Sequence, residues 1–86
     1  MQEITVYTTQ VCPYCISAKR LLQQRGLRYK EVDLSSDHAL RQRLSDENEG
    51  WRTVPMIFIG KEFVGGFTEL AALDKSGGLT TKVQGD

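Results

Sequence analysis

The stretch TTQVCPYCISAKRLL, residues 8–22, decides how the chain is read. Its two cysteines, Cys12 and Cys15, stand three apart and are the only cysteines in the sequence. On its N-terminal side, EITVYT (3–8) is rich in β-branched and aromatic residues and has the character of a buried strand. On its C-terminal side, Pro13 suits the first position of a helix, where its missing N–H does no harm. Tyr14, Ala18, Leu21 and Leu22 then recur at helical spacing until Gly26, a good C-terminal stop. A strand ends and a helix begins at the cysteines. Such a pair could be half of a metal site, a structural staple, or a couple that cycles between thiol and disulfide.

At 86 residues the chain, 1–86, is expected to form one small domain with a modest core. Eleven basic residues balance eleven acidic ones, so no nucleic-acid or membrane surface is built on bulk charge. No segment approaches the ~18 apolar residues of a membrane span. MQEITVYT at the N-terminus lacks the basic region and long apolar run of a secretory signal, which points to the cytosol. Thiols are kept reduced there, and a structural disulfide is not expected.

Strand and helix signals alternate along the rest of the chain. In LRYKEVDL (27–34), Tyr29, Val32 and Leu34 favour a strand. Ser35, Ser36 and Asp37 offer caps for a second helix with Leu40 and Leu44 one turn apart and Arg41, Gln42 and Arg43 on its outer face. SDENEGWR (45–52) reads as a polar loop, and MIFI (56–59) as a short apolar strand that EFV (62–64) joins through a turn at Gly60-Lys61. After Gly65-Gly66, Thr68 is placed to cap a last helix containing Leu70, Ala71 and Leu73 and ending near Gly77-Gly78; the tail TTKVQGD (80–86) reads as frayed. The order is βαβαββα. A strand–helix–strand unit implies parallel pairing through a right-handed crossover, and the hairpin adds antiparallel strands. The expectation is an α/β fold with a mixed four-stranded sheet flanked by three helices.

That order puts Cys12 at or just before the N-cap of the first helix. Free amides and the helix dipole favour thiolate over thiol there. Cys15, one turn further in, is expected to be more buried and less ionised. An exposed nucleophile with a resolving thiol beside it is what thiol–disulfide exchange requires. Zinc needs four ligands where this pair supplies two, and the one histidine, His38, falls on a polar helix face as a solvated side chain. A structural disulfide closing so short a loop gains little chain entropy. Beside a βαβ pattern in a cytosolic chain, C-x-x-C reads as a redox motif.

CPYC, preceded by VYTTQV, resembles the active site of dithiol glutaredoxins of the thioredoxin superfamily. WRTVPMIFIGKEFVGG (51–66) is similar to the family's segment of Thr-Val-Pro, strand, hairpin and Gly-Gly, and ALDKSGGL (72–79) to its C-terminal helix ending. The match spans nearly the whole chain in order. It implies a thioredoxin fold and reduction of protein disulfides and glutathione mixed disulfides by glutathione. Cys12 is then the attacking sulfur and Cys15 the resolving one. Tyr14 flanks the bound tripeptide, and Pro55 matches the family's cis-proline, which would present the Val54 backbone for short β-like pairing. Thr53, Gly66, Phe67 and Thr68 complete the implied glutathione contacts. Glutathione is implied as co-substrate, with no permanently bound cofactor and no metal. Implied partners are disulfide or glutathionylated proteins and, indirectly, glutathione reductase, with no nucleic acid and no membrane. The chain is expected to be a cytoplasmic monomer.

Two positions depart from the family. Many members carry a lysine where this chain has Thr9, and an aspartate where it has Thr68, followed by Glu69. The amides of Phe67 and Thr68 can still receive a carboxylate at a helix N-terminus. Arg52 and Arg41 are candidates to compensate, each also explicable as a solvated arginine, and Trp51 packs its loop or borders the site. Two other functions stay open: a reductant served by thioredoxin reductase, and a glutathione-ligated iron–sulfur carrier, which the competing thiol of Cys15 disfavours.

Overall fold

The structure, a computed structural model, describes residues 1–85. Its elements are β1 (Ile4–Thr8), α1 (Pro13–Gln24), β2 (Lys30–Asp33), α2 (His38–Glu47), β3 (Met56–Ile59), β4 (Glu62–Gly65), α3 (Phe67–Lys75) and α4 (Gly78–Gln84). The strands form one mixed sheet in the order β2-β1-β3-β4. β1 pairs parallel with β2 across the α1 crossover and antiparallel with β3, and β4 returns antiparallel on β3. This is the expected thioredoxin-like arrangement.

Strand alternation builds two cores from one sheet. Ile4 and Val6 of β1 with Ile57 and Ile59 of β3 face α1, α3 and α4, where Ala18, Leu22, Leu70, Leu79 and Val83 close over them. Met56 points to the other face and packs with Leu34 and Leu44 beneath α2, walled by Tyr7, Phe58, Phe63 and Trp51. MIFI is continuously apolar because a central strand covered on both faces has no wet side.

Four differences from the sequence expectations have local causes. Among the described residues there are four helices, not three. The tail forms α4, with Leu79 and Val83 buried in the larger core, Val83 O accepting the Gln2 N–H at 2.7 Å, and Lys82 paired with Glu62 at 2.8 Å. α2 runs on to Glu47, taking Ser45 and Asp46 from the expected loop. β2 begins only at Lys30, while Leu27 and Tyr29 pack against the larger core from outside the strand. The cap of α3 is Gly66, not Thr68: Glu69 Oε1 accepts the Gly66 N–H at 2.9 Å, the half of a capping box that a glycine permits. No helix among the described residues is long and apolar enough to cross a membrane.

Candidate active site

The loop from β1 to α1 is held before it reaches the cysteines. Leu34 N–H donates to Thr8 O at 2.7 Å, and Gln10 N–H to Ser35 Oγ at 2.9 Å. Thr8 is itself buried, and its Oγ1 donates to Glu31 Oε2 at 2.9 Å. Lys19 of α1 donates to the same oxygen at 3.0 Å. Hydrogen bonding from Lys19, joined by Thr8, holds the Glu31 carboxyl below the usual carboxylate range against partial burial. One carboxylate thereby ties α1 to both β1 and β2. At the other end of α1, Arg25 grips Asp74 of α3 with bonds of 2.8 and 2.9 Å.

Cys12 is the N-cap of α1 and Pro13 its first residue, so the helix starts on the sulfur. A disulfide joins Cys12 to Cys15, with the Cα atoms 5.2 Å apart. Cys15 N–H donates to Cys12 Sγ at 3.1 Å, a bond that strengthens when the sulfur is negative. Cys12 Sγ also lies 3.6 Å from the Val54 carbonyl oxygen. Cys15 is 2% exposed and Cys12 8%, so the order of accessibility is as expected. Cys12 is nevertheless far more enclosed than an exposed nucleophile, because the Val54 segment closes over it.

The Val54–Pro55 peptide bond is cis. This segment, α1 and the start of α3 surround a cleft of about 300 Å³ lined by Tyr14, Trp51, Thr53, Val54, Pro55, Gly66, Phe67, Thr68 and Glu69. All seven residues named from the sequence as glutathione contacts therefore meet in one groove beside the disulfide. Tyr14 does not join the buried stripe of α1, which is Cys15, Ala18 and Leu22. It stands 64% exposed and stacks on Phe67 with ring centroids 6.3 Å apart. Thr9 does not line the cleft.

Trp51 and Glu69 line the cleft without having been assigned to it. The signal for Glu69 was its place three residues after Gly66, the capping-box spacing. Trp51 does both things weighed for it. Its ring meets Phe63 edge-on at 5.2 Å and also walls the groove, with Nε1 enclosed and lacking a hydrogen-bond partner among the described residues. Arg52 and Arg41 line a neighbouring cleft with His38. Arg41 Nη2 donates to Arg52 O at 2.9 Å, bracing the chain just before Thr53.

Residues 4–64 match the protein-family model described as Glutaredoxin. The chain belongs to the glutaredoxin family. A glutaredoxin of Pseudomonas aeruginosa is 43% identical over 79 residues, which cover 92% of this chain and 93% of that protein. The solution structure of a glutaredoxin from Brucella melitensis superposes with a TM-score of 0.85 at 39% identity, covering 100% of this chain and 95% of that one. A crystal structure of a buckwheat glutaredoxin–glutathione complex gives a TM-score of 0.90 at 29% identity, covering 96% of this chain and 77% of that one. The family makes the protein a thiol oxidoreductase, and the disulfide makes Cys12 and Cys15 its redox pair.

Proposed function

We propose that the protein is a glutathione-dependent thiol–disulfide oxidoreductase acting as a single domain. The observation that carries this reading is the groove beside Cys12 Sγ, whose shape and lining suit an extended tripeptide. The likeness to the buckwheat protein, which was crystallised with glutathione, supports it.

Glutathione lies along the Thr53–Pro55 segment, where the Val54 backbone supplies strand-like hydrogen bonds. Tyr14 and Phe67 form one wall. The first-turn amides of α3, at Phe67 and Thr68, have no intrahelical carbonyl to donate to and donate instead to the γ-glutamyl carboxylate. Gly66 leaves the floor open. The Cys12 thiolate attacks the glutathione sulfur of a mixed disulfide, forming Cys12–S–S–glutathione and expelling the protein thiolate, which takes a proton. A second glutathione thiolate then releases oxidised glutathione and regenerates Cys12. On a protein disulfide, Cys12 forms a mixed disulfide with one substrate sulfur and expels the other. Cys15 attacks Cys12, the second substrate thiolate leaves, and the Cys12–Cys15 disulfide remains for two glutathione molecules to reduce.

The deciding experiment compares two electron supplies for reduction of a glutathionylated peptide: NADPH with glutathione and glutathione reductase, or NADPH with thioredoxin reductase. Sustained turnover with the first and little with the second is expected. The opposite result would replace glutathione by thioredoxin reductase as the source of electrons. A brown protein with visible absorbance after anaerobic purification with glutathione would instead favour cluster carriage.

A further inference from the structure

We infer that the indole N–H of Trp51 is a recognition donor for the α-carboxylate at the γ-glutamyl end of glutathione, and that Trp51 thereby sets how strongly the groove selects thiols carrying that group. The inference rests on the glutathione reading of the groove and adds the side chain that reads one end of the ligand. Trp51 is the single tryptophan of the chain. Its Nε1 is enclosed and has no hydrogen-bond partner among the described residues. An indole nitrogen can only donate, and an enclosed donor left unpaired is costly enough to call for a partner. The nearby acceptor of the protein itself, Glu69 Oε1, is engaged by the Gly66 N–H.

The backbone is shaped to bring that donor to the groove. Glu49 and Gly50 both have positive φ, 62° and 78°, and Glu49 adopts it without the freedom of a glycine. The turn is tied by Gly50 N–H to Ser45 O at 2.7 Å and by Trp51 N–H to Asn48 O at 3.2 Å. Just beyond it, Arg41 Nη2 donates to Arg52 O at 2.9 Å. The Trp51 backbone is therefore fixed, and its ring is carried to the Gly66 end of the groove. A Cβ on Gly66 would stand 3.6 Å from Trp51 Cζ2 and 3.5 Å from Pro55 O. The indole edge that holds Nε1 thus borders the space that Gly66 leaves open, beside the Phe67 and Thr68 amides that begin α3. A carboxylate seated on those amides has lone pairs left for a third donor. The ring has room to turn onto it, since it also borders a cleft of about 530 Å³ over α2 and one of about 470 Å³ beside β4.

The test compares one peptide carried as two mixed disulfides, with glutathione and with γ-aminobutyryl-cysteinylglycine, which keeps the ammonium and lacks only the α-carboxylate. Pre-reduced protein is mixed with each over a range of concentrations, and release of the peptide thiol is followed in a single turnover. In either case the Cys12 thiolate bonds to the sulfur of the small thiol and the peptide thiolate leaves. The wild-type protein should favour the glutathione adduct by more than about thirtyfold. Trp51→Phe, which keeps an aromatic ring and removes the N–H, should cut that preference about tenfold, through the half-saturating concentration rather than the limiting rate. A second measurement needs no variant: the single indole nitrogen–proton resonance of the wild-type protein should move downfield with saturating S-methylglutathione and stay in place with S-methyl-γ-aminobutyryl-cysteinylglycine. A preference that survives Trp51→Phe, or an indole resonance that both ligands leave in place, would overturn the inference and assign Nε1 to the packing of its loop. Failure to turn over the glutathione adduct with glutathione and its reductase would defeat the glutathione reading and the inference with it, whereas turnover with no preference for the carboxylate defeats the inference alone.

Discussion

Gly65 and Gly66 are neighbours in sequence, yet alanine should damage them in opposite ways. Gly65 has φ +125°, a conformation that L side chains rarely adopt, and an added Cβ would stand 2.8 Å from Glu69 Cγ and 3.0 Å from Glu69 Cβ. The backbone strain costs about 1–3 kcal/mol. Displacing Glu69 also breaks its bond to the Gly66 N–H, a cap worth about 0.5–2 kcal/mol. Gly65→Ala should therefore lose roughly 2–4 kcal/mol of stability, or roughly 10–25 °C in Tm for a domain of this size. Gly66 has φ −98° and ψ −159°, extended backbone open to any residue. Its Cβ would meet Glu69 Oε1 at 3.4 Å, Pro55 O at 3.5 Å and Trp51 Cζ2 at 3.6 Å, which are tight to ordinary contacts. Gly66→Ala should cost under about 1 kcal/mol, the difference between glycine and alanine at an N-cap. The new methyl stands in the groove, however, and losing roughly 1–2 kcal/mol of binding there raises KM for a glutathionylated peptide about five- to thirtyfold. Thermal melts and steady-state kinetics on both variants decide the matter. A Gly66→Ala protein with unchanged KM, or one that melts below Gly65→Ala, would refute this placement of the groove floor.

Three further outcomes are expected. Thr9→Lys with Thr68→Asp restores a cation and an anion around a ligand with two carboxylates and one ammonium. KM for glutathione should fall about tenfold or more with little change in turnover, and the gain should shrink in high salt. The hydrogen bond and charge of Arg25 hold the Asp74 carboxyl below its usual range, so its contribution is complete above the unfolded carboxyl pKa. Asp74→Asn should be less stable than wild type at pH 7 in urea titrations, and the gap should close as the pH falls below about 4. Leu79→Ala, in a side chain only 1% exposed, should cost about 2–5 kcal/mol, and the same measurement near zero would mean α4 does not close the core.

Much of this arrangement is legible in the residues because local and global signals agree. EITVYT, CPYC and MIFI carry strand, cap and buried-strand character in the order the sheet needs, and Pro13 and Gly26 mark both ends of α1. The site residues after Cys15 were reachable only through family likeness, since nothing local distinguishes Val54-Pro55 from an ordinary strand-opening turn. α4 escaped because GLTTKVQ has weak helix formers, and its stability comes from Leu79 and Val83 packing onto residues far away in sequence. Helical spacing alone puts Tyr14 in the apolar stripe of α1, while the sheet selects Cys15, Ala18 and Leu22 as the side to bury and leaves Tyr14 to the groove that the family likeness assigns it. Thr68 is a good N-cap by type, but φ +125° at Gly65 and the reach of Glu69 start the helix earlier.

The most direct test of the account is steady-state reduction of a glutathionylated peptide by Cys12→Ser and Cys15→Ser proteins, with glutathione and glutathione reductase. On the proposed mechanism Cys12 carries the attack at the start of α1, and Cys15 serves only to resolve bonds to protein substrates. Cys12→Ser should therefore abolish turnover, while Cys15→Ser should retain most of it and lose reduction of protein disulfides. Equal loss in both variants on both substrates, or activity surviving without Cys12, would contradict the assignment of the two sulfurs.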